Sequence, residues 1–470
     1  MEEIEHFGDM TLLDSGVGND ERPVATRGEP SVRSLKIAID KTTDPEYIAN
    51  MRWPSAIREK AVYEHRFKMP INWGDLPKRL DKLHKRFAQR EFRTYSKLFL
   101  DIEKQSGNKR MVLDDMVVVP VAINEWFAVI LSMRAPPAGT PIDTKTYQPN
   151  SGHLWCFPTA QFEAANSKWQ NTGIVVKDFQ CAYLLGARLY LVDDTTVRAF
   201  DLAARKELFA LNTWTEHRIL LSRSASSLRV SLYGFIVVCS QQRGFLVLLY
   251  NQPQDRLELL HYENPHIRPE ADPRHELSYT ACSIDLEMFA MGTSNGQVEF
   301  WTIEPVTDPE TANTAGVIPP KRYAVLLANT MEYFRDEIST HSQTPIRMVP
   351  GEPVTTLLYR GRRLLVASHN NRVIMDASPG HGKLLIPKAE TVASVAMFGD
   401  LLALLYYNGG IDIAHFNQSR PYYTCVIGLS GLTAGDIPFG QQLIATLPDC
   451  VVALMPGGKL LALNQNRIVK

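Results

Sequence analysis

The chain has 470 residues, 45% hydrophobic and 21% charged, a composition that excludes global disorder and permits a large buried core. Lys and Arg number 50 against 51 Asp and Glu, so no long-range field draws the whole molecule to nucleic acid or to an anionic membrane. The six cysteines, Cys156, Cys181, Cys239, Cys282, Cys425 and Cys450, have neither the close pairs of a zinc site nor the density of a disulfide framework, and no apolar run reaches the roughly 20 residues of a membrane span.

Met1 to Asp20 is acidic and lacks the basic and apolar regions of a secretory signal, so a cytoplasmic or nuclear location is expected. Residues 1–35 are polar and aperiodic, and are expected to be a disordered tail. Residues 36–108 are expected to form a small helical segment. Within it Leu76, Leu80, Leu83 and Phe87 recur at helical spacing, and Tyr95, Leu98, Phe99 and Ile102 continue that character up to the stop at Gly107-Asn108. The stretch from Lys78 to Arg110 holds about eleven basic residues against four acids, which reads as a solvated helix face and not as a nucleic-acid surface.

From residue 109 to 470 short Val, Ile, Leu, Tyr and Phe runs alternate with Gly, Asn, Asp and Pro turns, the pattern of closely spaced antiparallel strands. The clearest unit runs from Met288 to Glu304, turning at Asn295-Gly296 and carrying Trp301 on its second strand. Arg188 to Leu202 parallels it, with Phe200-Asp201 near the end. Weaker copies begin at Phe235, Arg363, Leu401 and Cys450, and a first unit includes Glu125 to Arg134 with His153 to Thr159, giving about seven units at a blade-like period. The last unit is short of a strand, which residues near Met111 to Val119 could lend. Ala135 to Ser151 and about Pro305 to Thr344 read as insertions in surface loops.

These repeats resemble the WD-repeat β-propellers, with Phe200-Asp201 standing where that family has Trp-Asp. The resemblance implies an all-β propeller of about seven blades preceded by the small helical segment. Trp53-Pro54, Ile57, Asp75-Leu76, Arg86-Phe87 and Tyr95 to Leu98 fall in an order similar to the F-box. That resemblance implies that Trp53, Pro54, Ile57, Leu76, Leu80, Leu83 and Phe87 bind the adaptor of a cullin-type ubiquitin ligase while the propeller holds a peptide or protein substrate. The same helices could instead pack on the ring of a scaffold subunit with no ligase role.

No metal, cofactor or catalytic group is expected, because no nucleophile–base pair, metal-ligand spacing or complete phosphate loop occurs. Gly380-His381-Gly382-Lys383 reads as a hairpin turn, and Asp193-Asp194 as acceptors for turn amides. In a propeller the turns between second and third strands of each blade share one face. Asp193, Asp194, Arg243, Asn295, His369, Asn370 and Asn408 are therefore expected to ring one end of the channel, where Arg243 and Arg372 could take a phosphate or carboxylate.

Overall fold

The computed structural model describes residues 93–97 and, apart from several connecting segments, residues 116–464. Strands dominate because the chain supplies runs of six to eight β-branched, aromatic and leucine residues cut by turn formers. Each run pairs antiparallel with the next, and four make a blade.

Six blades follow one another along the chain. The first is β2 (Met116–Ile123), β3 (Trp126–Met133), β4 (Gly152–Pro158) and β5 (Gln170–Val176), and the second is β6 (Phe179–Leu185), β7 (Arg188–Asp193), β8 (Thr196–Asp201) and β9 (Lys206–Asn212). After helix α1 (Thr213–His217) come β10 (Ala225–Val230), β11 (Phe235–Ser240), β12 (Gly244–Asn251) and β13 (Arg256–Glu263). The fourth blade is β14 (Tyr279–Asp285), β15 (Met288–Thr293), β16 (Gln297–Val306) and β17 (Arg322–Glu332), and the fifth is β18 (Val354–Arg360), β19 (Arg363–Ser368), β20 (Arg372–Ser378) and β21 (His381–Pro387). The sixth is β22 (Val392–Phe398), β23 (Leu401–Tyr406), β24 (Gly410–His415) and β25 (Tyr423–Val426). A further four-stranded sheet is composite: β26 (Ile444–Leu447), β27 (Cys450–Met455) and β28 (Lys459–Asn464) are joined on the outside by β1 (Arg93–Lys97).

This arrangement corrects several expectations. The repeats suggest about seven blades, but only six sheets are made of four consecutive strands, and the remaining sheet is composite. The lent strand is Arg93–Lys97, whereas Met116–Ile123 is the innermost strand of the first blade. The apolar neighbours of Tyr95 suit a helix as well as a strand, and pairing with Ala462 makes it a strand residue. The remainder of the helical segment, with Trp53, Pro54, Ile57, Leu76, Leu80, Leu83 and Phe87, lies outside the described residues, as does the tail. Among the described residues α1 is the one helix. Part of the supposed insertion after Pro305 is also strand, since Arg322–Glu332 forms the outer edge of its blade. The Ala135 to Ser151 insertion falls almost wholly outside the described residues.

The first strand of each blade faces its counterparts around the axis, and the fourth lies at the rim. Second strands are sandwiched between neighbouring blades, so β11 and β23 are buried at every position and are apolar up to their last residue. The core lies between blades. One cluster joins Phe235, Val237 and Phe245 to Phe289, Met291 and Trp301, and another joins Phe127 and Phe157 of the first blade to Val452 and Leu454 of the last.

Five inner strands bulge directly after their first residue, at Gln180, Ser226, Thr280, Thr355 and Ala393. A bulge re-aims side chains and frees backbone groups, and here neighbouring blades use them. The Gln180 Oε1 accepts from Ala225 N at 2.9 Å, Ser226 Oγ donates to Thr280 O at 3.4 Å, and Thr280 Oγ1 donates to Val354 O at 2.5 Å. Thr356 Oγ1 then donates to Val392 O at 3.0 Å and Ser394 Oγ to Gln441 O at 2.9 Å. Gln441 Nε2 donates to Gln180 O at 3.2 Å and Gln442 O accepts from Ile123 N at 2.8 Å, which closes the belt across the seam.

Candidate functional site

The turns between second and third strands lie at one end of the ring, each stitched to the segment that enters its blade. Asp194 N donates to Asp178 O at 3.2 Å, Ser294 N to Ser278 O at 2.9 Å, His369 N to Pro353 O at 3.1 Å and Tyr407 N to Thr391 O at 3.1 Å. Four of the eight sequence-predicted site residues here, Asp193, Asn295, Arg372 and Asn408, are engaged within the turns and their flanking segments. Asp193, only 4% exposed, accepts from Arg198 at 2.7 Å and from Lys177 N at 3.4 Å. Burial pushes its carboxyl above the ordinary range against the opposing pull of Arg198. Asn295 Oδ1 accepts from Thr293 Oγ1 at 2.6 Å, and Asn408 Oδ1 from Gly410 N at 2.8 Å. Asp194, His369 and Asn370 are exposed. Arg372 is half-buried, pairs with Glu352 at 2.5 Å and lies 5.5 Å from the Phe334 ring centroid, so its charge is already engaged. Arg243 lies outside the described residues.

A repeated feature underlies these turns. Asp193, Ser240, Thr293, Ser368 and Tyr406 each end a second strand, and all five are polar and buried. Thr293 Oγ1 accepts from Gln297 N at 3.0 Å and Ser368 Oγ from Arg372 N at 3.3 Å, replacing lost ladder partners. Tyr406 donates to Asp412 at 2.6 Å; burial and the Asp412 charge push its phenol up, so it stays a donor. This signal is present in the sequence as one polar residue ending each of these five runs.

Convergent geometry appears at the opposite end. There, around the axis, a cavity of about 150 Å³ is lined by residues of all seven inner strands or the turns that follow them. Asn124 and Glu125 follow β2, Tyr183 comes from β6, Arg229 from β10, Ile284 from β14, Leu358 and Arg360 from β18, Val395 from β22 and Leu447 from β26. Arg229 lies 5.5 Å from the Tyr183 ring centroid and donates to Leu228 O at 2.8 Å, while Arg360 donates to Met397 O at 2.9 Å. Sequence reasoning missed this end. Its one sequence signal is a lone arginine near the end of each of two otherwise uncharged strands.

Chemistry elsewhere is muted. The Cys181, Cys239 and Cys282 thiols are buried and pushed up by that burial, and Cys156 rises to about 12, so all four are held protonated. Among the described residues no three His, Cys, Asp or Glu side chains group to hold a metal ion, and no helix is long and apolar enough to cross a membrane. His381 to Lys383 open β21, with Ser378 facing His381 across a tight hairpin.

No protein-family model and no curated protein matches the sequence. Solved structures similar to it include the WD40 repeats of RRP9, with a TM-score of 0.39 and 11% identity over 59% of this chain and 73% of that one. The β-propeller domain of Myceliophteria thermophila Cps50 (Swd1) gives a TM-score of 0.42 and 13% identity over 74% and 96%. The computationally designed Ika8 protein gives 0.42 and 9% over the same shares. The fold itself is read from the sheets: the described chain is an all-β propeller.

Proposed function

We propose that this chain is a non-catalytic protein-interaction platform whose principal site is the channel mouth around Arg229 and Arg360. The observation that carries this reading is convergence: every inner strand, or the turn that follows it, contributes to a cavity of about 150 Å³. Pockets for small molecules are usually about 300 to 1,000 Å³, so this one suits a single inserted side chain of a protein partner. Tyr183, Arg229 and Arg360 at its rim are of residue types that concentrate interface energy.

The test compares proteins cross-linked to the full-length chain before and after the double change Ile284→Asp with Arg360→Glu. Partners should be lost with the melting temperature unchanged, while Asp194→Ala with Asn408→Ala should keep them. Loss only in the second pair would move the site to the other end and sink this reading.

A finer form, the substrate receptor of a cullin-type ligase, is supported by the F-box-like order from Trp53 to Phe87 in the sequence. It predicts that the ligase adaptor copurifies with wild type and not with Leu80→Asp plus Leu83→Asp. Absence of the adaptor from the wild type would leave a scaffold subunit without ligase role, docking its partners through the same mouth.

A further inference from the structure

We propose that the channel mouth recognises its protein partner by one acidic side chain, a glutamate or aspartate whose carboxylate is held by Arg229, Arg360 and the hydroxyl of Thr446; this rests on the mouth being the interaction site. Thr446 belongs to β26 and lines the cavity, is only 8% exposed, and its buried Oγ1 meets no hydrogen-bond partner in the protein. Nearly all buried polar groups are paired, and an exception asks for a reason such as a ligand. Comparable hydroxyls are engaged. Ser283, which lines the same cavity, accepts from Tyr359 N at 2.8 Å, while Thr356 and Ser394 of other inner strands serve the belt.

The chemistry of the ligand follows from what shares the cavity with that hydroxyl. Arg229 comes from the third blade, Arg360 from the fifth and Thr446 from the composite sheet, so closure of the ring assembles donors from three separated strands. Each guanidinium carries five N–H donors and no acceptor, so it can serve a carbonyl and a ligand oxygen together. The carbonyls of Leu228 and Met397 set the two side chains in place. Of the charged residues lining the cavity, two are positive and Glu125 alone is negative. A carboxylate of one negative charge balances that surplus, whereas a phosphate of about −1.5 to −2 exceeds it and is repelled by Glu125. The two oxygens of a carboxylate take several donors at once, and such charge-assisted hydrogen bonds are about twice as strong as neutral ones.

Peptides selected from a random display library on the full-length chain, with binding measured by fluorescence anisotropy, test this. Those that bind at the mouth are the ones lost with Ile284→Asp. Each should contain a glutamate or aspartate whose change to glutamine or asparagine weakens binding about ten-fold or more. Arg360→Glu should abolish binding of the acidic peptide, and lysine at the same peptide position should restore it. Thr446→Val should weaken the acidic peptide about ten-fold and leave its amide form unaffected. It should also keep or raise the melting temperature, because no hydrogen bond of the unbound protein is lost; a merely structural threonine would lower it. Those readouts decide the matter even if Arg360→Glu fails to fold. Mouth-binding peptides indifferent to the loss of their acids would overturn the carboxylate while the mouth stands. Tighter binding of phosphoserine at the same position would overturn it in favour of phosphate. If no selected peptide is lost with Ile284→Asp, the mouth itself falls as the site, and the carboxylate with it.

Discussion

Trp301 shows how one side chain ties two blades together. It is 4% exposed, its ring stacks on Phe289 at 6.1 Å, and it meets Phe245 of the preceding blade edge-on at 5.0 Å. Its indole N–H donates to Glu299 at 3.2 Å, and the same carboxylate oxygen accepts from Tyr279 at 2.8 Å. Trp301→Ala should therefore cost about 3 to 5 kcal/mol through the cavity it leaves; a loss below about 1 kcal/mol in a urea titration would show the contact to be dispensable. Glu352 offers a test by pH. Burial alone would raise its pKa, but hydrogen bonds from Arg372, Asn370 and Ser368 hold it below the ordinary glutamate range. A folded pKa below the unfolded value gives stability that is present above the unfolded value, about 4.3, and is lost as pH falls through the folded one. Glu352→Gln should thus flatten the acid limb of melting temperature against pH, by less than about 1 kcal/mol because the pair is partly exposed. An unchanged acid limb would show the pair to be inert.

At the scale of elements, turns and bulges set the blades in place. Gly296 has φ of 82°, and a Cβ there would come within 2.9 Å of Glu352 O and 3.0 Å of Phe334 Cβ. Its carbonyl also accepts from Tyr333 N at 3.1 Å. Gly296→Ala should cost more than about 1 kcal/mol, combining left-handed strain with crowding, measured by denaturant titration. The hydrogen-bonded belt makes a second prediction. Thr280→Val keeps shape but removes the hydroxyl that reaches Val354 O in the next blade, and should cost about 1 kcal/mol. The same change made at the exposed Thr330 should cost almost nothing; equal effects would deny the belt a structural role.

For the whole molecule the decisive feature is the seam. The closing sheet takes its outer strand from residues 93–97 and its other three from 444–464, so one ladder pairs residues more than 360 positions apart. Burying strand edges in this way is how a ring of blades protects itself. A chain beginning at residue 111 should melt at a lower temperature than one beginning at residue 90, measured by calorimetry. Equal melting temperatures would mean that β1 adds nothing to closure.

The strand-and-turn rhythm from residue 109 onward was legible by itself, since period-two burial, apolar second strands and turn formers are local properties. Thus the hairpin at Asn295-Gly296, the burial of Trp301 and the gathering of the second turns at one end could all be read from residues. Three things needed the tertiary structure. Arg93–Lys97 carries no local mark of a strand and takes that form by pairing with Leu460 to Asn464. Asp193, Asn295, Asn408 and Arg372 look like surface polar groups until the partners that occupy them are seen. The channel mouth around Arg229 and Arg360 exists because closure brings seven separated strands together around one axis, a property of the ring that no single stretch of sequence contains.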